Sequence, residues 1–137
     1  MLNPFALPIH PILVHFAIAM LSVAWICLVV RYATGDERWD ARVRLFELVG
    51  VIALPATLVA AIIDTRGFRF AIHPRTDAPL IWHALAGLVA ALAFGAHWLW
   101  RRRKTDPPAW QDLSLATFAM IALVAAGLIA GELVFGA

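Results

Sequence analysis

The stretch from 11 to 30, PILVHFAIAMLSVAWICLVV, runs for twenty positions with His15 as its one basic side chain and no formal charge. Coiled as a helix it reaches about 30 Å, the thickness of a bilayer's hydrocarbon core. Three more stretches of that kind follow, at about 45–63, 80–100 and 113–135. Glu47 opens the second and Pro55 interrupts it, and Glu132 lies near the end of the fourth. Long runs rich in Ala and Leu fit helices, whereas a membrane barrel shows strands of about ten residues with alternating polarity. The first run is not a cleavable signal peptide, for it lacks a basic leader and its apolar part is too long.

The whole chain agrees with this reading. Of 137 residues, 63% are apolar and 15% charged, against roughly 45–50% and 25% in a soluble domain. Eleven Lys and Arg with nine Asp and Glu cannot clothe a soluble surface of that size. An ordinary soluble enzyme, a disordered chain and a disulfide scaffold are excluded. Cys27 is the single cysteine, and inside an apolar run it is expected to be inert. A net charge of +2, with the arginines set between apolar runs, argues against a nucleic-acid partner. The expected fold is all-α: an integral membrane antiparallel four-helix bundle forming one domain over 1–137, with the lipid bilayer as its main partner.

Punctuation supports the boundaries. Thr34, Gly35 and Asp36 break the chain after the first run, Asp77 and Pro79 read as the cap and first turn of the third, and Asp106, Pro107 and Pro108 precede the fourth. Trp39, Trp98, Trp100 and Trp110 gather at one face, as an interfacial belt does. Arg31, Arg38, Arg42, Arg44, Arg101, Arg102, Arg103 and Lys104 fall in the first and third connections, against Arg66, Arg69 and Arg75 in the second. The positive-inside rule then puts both termini outside the cytoplasm of a bacterial inner (plasma) membrane, the chain crossing it four times.

Ionisable residues within a span are costly and need a partner or a task. His15, Asp64, His83 and Glu132 stand near the outer ends of the four helices, with His10 and His73 in adjoining outer segments. At 100° per residue His83 shares a face with Gly87, Ala90, Phe94 and His97, and Asp64 with Ala60, Thr57, Ala53 and Gly50. Small residues such as Gly87, Gly127 and Gly131 serve either close helix packing or room for a flat macrocycle. For several of these residues the plain reading is structural or solvated. His10 flanks a helix start, His73 lies in solvent, Asp64 marks the water boundary and pairs with Arg66 or Arg69, and Glu132 bonds backbone or a histidine. His97, beside Trp98, Trp100 and Arg101, is expected to be a solvated histidine of the inner face. His15 and His83 sit deepest in apolar sequence, where an unpaired imidazole is unfavourable.

The opening His10-Pro11-Ile12-Leu13-Val14-His15-Phe16 resembles that of a family of small bacterial four-helix inner-membrane proteins known only as a domain of unknown function. The likeness continues in Trp82-His83-Ala84-Leu85 and in Ala130-Gly131-Glu132-Leu133-Val134-Phe135-Gly136. The chain departs from that pattern at Ala17, where proline is usual, at Phe135, where tyrosine is common, and in having no basic, histidine-bearing tail after Gly136. Some relatives are joined to electron-transfer modules, so the resemblance implies a redox setting and a redox partner protein on the outer face.

Three functions compete. In the first, His15 and His83 are axial ligands of one haem b in the outer half of the bundle, with Gly87 leaving room and Asp64, Glu132 or Arg69 orienting ligands or meeting the propionates. His97 lies about 21 Å below His83, but Val29 stands where its partner on the first helix would be, so one haem is expected. No Cys-x-x-Cys-His occurs, which excludes covalent attachment by that motif. In the second, His15, His83 and Glu132, with the weaker His10 or Asp64, hold Zn, Cu or Fe without haem. In the third, the chain is a non-catalytic subunit or homo-oligomer whose polar residues fix helix register. With an open position the second site could be catalytic or part of a transport path, but an electron-transfer or accessory protein is expected in preference to a stand-alone enzyme.

Overall fold

A computed structural model describes residues 9–64 and 78–135, with side chains described over 9–61 and 81–130. It contains four helices: α1 (Ile9–Thr34), α2 (Trp39–Asp64), α3 (Ala78–Arg102) and α4 (Ala109–Phe135). All four are long and apolar enough to cross a membrane. Among the described residues there is no strand. The expected membrane four-helix bundle is present.

The helices are longer than the apolar runs, chiefly at one end. α1 continues to Thr34, α2 begins at Trp39, α3 continues to Arg102 and α4 begins at Ala109. Composition marks the depth of hydrocarbon, whereas a helix needs only its backbone hydrogen bonds, and long arginines reach back to water along their aliphatic stems. Arg31, Arg42, Arg44, Arg101 and Arg102 therefore stand on helices, and not in loops as the charge count assumed. Gly35 ends α1 in the left-handed region (φ +69°) with its N–H donating to Arg31 O at 2.9 Å, a conformation in which glycine is unstrained. Asp36 Oδ1 then accepts the backbone N–H of Arg38 at 2.9 Å and opens α2. Pro55 sits within α2 without ending it. Pro79 occupies the first turn of α3, while Asp77 lies outside the described residues.

α1 packs closely along α2, and α3 along α4; the two hairpins meet more sparsely. Tyr32 of α1 reaches Asp112 of α4, and Arg31 reaches Asp106, so both short connections lie at one end, here the arginine end. At mid-depth Leu21, Ala90, Phe94, Ala119 and Leu123 form a buried cluster. Cys27, Leu28, Val43 and Ala116 form another nearer the arginine end. Gly50 permits the tight α1–α2 approach, since a Cβ there would collide with the Leu21 side chain. Large apolar residues, among them Ile12, Ile52, Leu92, Phe118, Ile121 and Leu128, remain on the outside, the distribution a lipid solvent favours.

At the opposite, histidine end α1 and α3 lose their buried positions, while Thr57 and Ala60 of α2 and Ala126 of α4 stay buried. Among the described residues no buried position precedes Ala17 in α1 or Ala90 in α3. Gly87 and Gly127 both have open space where a Cβ would stand. The close packing suggested for Gly127 is thus absent, because that glycine lies on the exposed side of α4.

Candidate functional site

Polar side chains collect at two places. At the arginine end, helical periodicity brings the apolar faces of all four helices to charged residues one turn beyond the core. Glu47 precedes Gly50 on α2, His97 follows Phe94 on α3, and Asp112 precedes Ala116 on α4. Asp112 is fully buried, while Glu47 and His97 are each 2% exposed. The His97 ring bonds Glu47 Oε1 through Nδ1 and donates from Nε2 to Asp112 Oδ1 at 2.7 Å. A ring that donates to two carboxylates carries both protons. Asp112 Oδ2 also accepts from Arg101 Nη1 and from the Tyr32 hydroxyl, the latter at 2.7 Å. Arg101 Nη2 donates to Asp40 Oδ1 at 2.8 Å, and Arg31 Nε donates to both oxygens of the same carboxylate at 2.9 and 3.0 Å. Three carboxylates thus face two guanidiniums and one imidazolium. Mutual neutralisation of this kind is what makes buried charge tolerable. One atom stays outside the arrangement: Glu47 Oε2 is buried with no hydrogen-bond partner.

His97 is therefore no solvated surface histidine, and with both nitrogens occupied it is not available as a ligand. Sequence reasoning missed this network, since it gave Asp40 and Asp112 no role and read Glu47 only as the start of the second apolar run. A signal was present in the register: Glu47 lies on the Gly50–Ala53–Thr57–Ala60 face and His97 on the Ala90–Phe94 face, and both faces are buried. The tryptophans do gather at this end, as the belt required. The guanidiniums of Arg42 and Arg102 stack over Trp39 and Trp98, each at 4.6 Å, and Trp110 is exposed.

At the histidine end three imidazoles share one feature. Nδ1 of His10 lies 2.8 Å from Thr57 O on α2, Nδ1 of His83 lies 2.9 Å from Ala126 O on α4, and Nδ1 of His15 lies 2.6 Å from Pro11 O in its own helix. A carbonyl only accepts, so in each neutral ring Nδ1 carries the proton, which at His15 and His83 puts the lone pair on Nε2. This is how metal-ligating histidines are commonly oriented. The rings are placed differently. His83 is half-buried on the face that continues through Ala90 and Phe94, and His10 is half-buried on the face of Ala17, Leu21, Ala24 and Leu28. His15 is exposed, on the opposite face of α1 with Ile12, Ala19 and Ile26.

The structure thus sets His10 and His83 on inward faces and His15 on an outward one. Asp64 closes α2 and Glu132 lies in the last turn of α4, but their side chains lie outside the described residues, as do His73, Arg66 and Arg69. Among the described residues no three His, Cys, Asp or Glu side chains converge as a metal centre would require.

A protein family described as "Predicted membrane protein (DUF2231)" matches residues 6–137. No curated protein matches the chain, and no solved structure does.

Proposed function

The chain belongs to the DUF2231 family of membrane proteins, and from the geometry of its histidine end we propose that it is a membrane electron-transfer protein of the b-cytochrome kind. One haem would be held between α1 and α3 by His83 and an α1 histidine, and would supply one-electron redox chemistry. The observation that carries the reading is the pair of inward-facing imidazoles whose Nδ1 atoms are each fixed by a carbonyl of a neighbouring helix, His83 by Ala126 and His10 by Thr57. α1 and α3 lie diagonally, each flanked by α2 and α4. Ligands from diagonal helices approach a central iron from opposite sides, as bis-imidazole coordination needs.

Register favours His10 over His15 as the partner, since His15 lies on the exposed face. Gly87, one turn from His83 and open on its Cβ side, supplies room on the same face. A flat macrocycle requires space beside its ligands, and the α1 and α3 faces at this end carry no buried position before Ala17 and Ala90 among the described residues. The protein orients the ligands and excludes water.

The test is an oxidised and dithionite-reduced visible spectrum of the detergent-purified protein expressed with adequate haem supply. A Soret band that shifts on reduction, with resolved α and β bands, is expected. His83→Ala and His10→Ala should each abolish bis-imidazole ligation, and His73→Ala should leave it intact. Loss with His15→Ala and retention with His10→Ala would move the ligand to the outer face of α1. A colourless protein would overturn the haem reading. The chain would then be a subunit whose polar residues hold helices together, a role the arginine-end network supports.

A further inference from the structure

Between α2 and α3 at the arginine end lies an open cleft of about 550 Å³, lined by Arg44, Glu47, Leu48, Trp98, Arg101 and Arg102. We propose that this cleft is a binding site for a membrane phospholipid whose headgroup carries a primary ammonium beside its phosphate, as phosphatidylethanolamine does. The inference is independent of the haem reading and concerns the other end of the bundle.

Three observations carry it. The first is the unpartnered, buried Glu47 Oε2 on a residue that lines the cleft. Glu47 Oε1 faces His97, so the second oxygen needs a donor from elsewhere, and a buried acceptor without one is unfavourable. The second is the division of the arginines. Arg101 uses both terminal nitrogens on Asp112 and Asp40, whereas Arg44 is exposed with no ion pair among the described residues and Arg102 lies over the Trp98 ring at 4.6 Å. Two guanidiniums at the mouth thus remain for a phosphate, which they match in geometry and charge. The third is apolar continuity. Leu48 and Trp98 form the walls, Gly95 a turn deeper on α3 has open space where a Cβ would stand, and Ile52 a turn deeper on α2 is exposed.

Chemistry selects the headgroup. An anionic headgroup such as phosphoglycerol has hydroxyl donors but no cation, so it would place net negative charge beside Glu47 without the charge-assisted bond an ammonium makes. A choline ammonium has three methyl groups and no N–H, so it cannot donate there. A primary ammonium can. Arg44 and Glu47 are three residues apart, about 4.5 Å along the helix axis, a separation that the two-carbon link of phosphoethanolamine covers. The arginine end faces the cytoplasm by the positive-inside rule, where basic pockets between helices meet inner-leaflet headgroups.

The test is native mass spectrometry of the delipidated full-length protein titrated with phosphatidylethanolamine, phosphatidylcholine and phosphatidylglycerol of identical acyl chains. Phosphatidylethanolamine is expected to bind roughly tenfold tighter than phosphatidylcholine, the factor that one charge-assisted hydrogen bond contributes. Arg44→Ala, at an exposed position, should lower that affinity, and Glu47→Gln should collapse the ethanolamine-over-choline preference. Should Glu47→Gln fail to fold, the headgroup comparison on wild-type protein and the Arg44→Ala variant decide alone. Soluble phosphoethanolamine should leave the lipid-bound fraction unchanged; displacement by it would make the ligand a free phosphate and overturn the lipid assignment. Equal affinity for the ethanolamine and choline lipids, tighter binding of phosphatidylglycerol, or an unaltered Arg44→Ala variant would each overturn the proposal.

Discussion

Asp112→Asn is the substitution that most directly asks whether the arginine-end network holds the bundle together. The change keeps the side chain's shape and removes its charge at a fully buried position. Three donors converge on the carboxylate: His97 Nε2–H, the Tyr32 hydroxyl and Arg101 Nη1. Hydrogen bonds between membrane helices average about 0.6 kcal/mol, so three of them amount to roughly 2 kcal/mol. Removing one partner of a buried ion pair costs about 3–5 kcal/mol, because the charge left behind remains desolvated. The charge effect therefore exceeds the hydrogen-bond effect. Arg101 keeps Asp40 and His97 keeps Glu47, which places the expected loss near the lower bound, about 3 kcal/mol.

Tyr32→Phe provides the comparison, since it removes one neutral donor and leaves every charge in place. Its expected cost is about 0.6 kcal/mol, and in the Asp112→Asn background most of that cost should vanish, because the two share one hydrogen bond. Reversible unfolding in mixed micelles, followed by tryptophan fluorescence, measures all four corners of this cycle. If Asp112→Asn fell within about 1 kcal/mol of wild type, or no further than Tyr32→Phe, the network would not be a charge-coupled unit and the reasoning would fail.

Other outcomes follow from single contacts. Gly50→Ala sets a methyl group against the buried Leu21 side chain and should cost about 1–3 kcal/mol by overpacking. Gly95→Ala meets open space and should be neutral or stabilising by up to about 1 kcal/mol; the two variants, unfolded side by side, should differ in sign or clearly in size. Trp25→Phe removes the indole N–H donated to Thr117 Oγ1 at 3.1 Å and should lower stability by about 0.6 kcal/mol in the same assay. Arg38 donates its backbone N–H and its guanidinium to Asp36, and the backbone bond first of all holds that carboxyl below its ordinary range. The small stabilisation this confers is present above the unfolded-state pKa and is lost as pH falls through the lower folded one; a carbon-13 NMR titration in which Asp36 titrates no lower than a free aspartate would refute it. Cys27 is buried, so a cysteine placed at Lys104 can be labelled without background. An impermeant reagent should reach it only after the inner membrane is opened, and labelling of intact cells would reverse the orientation.

The fold was legible because a bilayer imposes a length. Twenty uncharged residues at 11–30 leave few alternatives, and the turn chemistry at Gly35 and Pro107-Pro108 marked ends that the structure keeps. Helix faces were legible too, since Gly50, Ala53, Thr57 and Ala60 are all buried together as the 100° step requires. What could not be read is how faces pair. Periodicity says that Glu47 and His97 each point inward, but it does not say that they point at each other across α2 and α3. His97 was misread because neighbouring Trp98, Trp100 and Arg101 suggest an interface, and at an interface a side chain one position away faces water or core according to its angle. His15 illustrates the converse: deep apolar sequence guarantees distance from water, not an inward direction, since lipid is as apolar as a core.

The two ends of the bundle therefore answer different demands, and the contrast bears on how a four-helix protein of this size keeps its register. Filling the histidine end with side chains would add packing contacts and remove the space beside His83 and Gly87. Leaving the α1 and α3 faces open there lets the hairpins shift against each other, because α1–α2 and α3–α4 meet only sparsely. The register must then be fixed elsewhere. A network that takes a partner from every helix, through Tyr32, Asp40, Glu47, His97, Arg101 and Asp112, does so with directional bonds that a one-turn slip of about 5.4 Å would break together. Non-directional contacts among Ala and Leu in lipid oppose such a slip far less, since tails can replace them. On this argument the charges at one end are what permits the openness of the other, and weakening Asp112 should loosen the His83 end about four turns of α3 and α4 away before it unfolds the helices themselves.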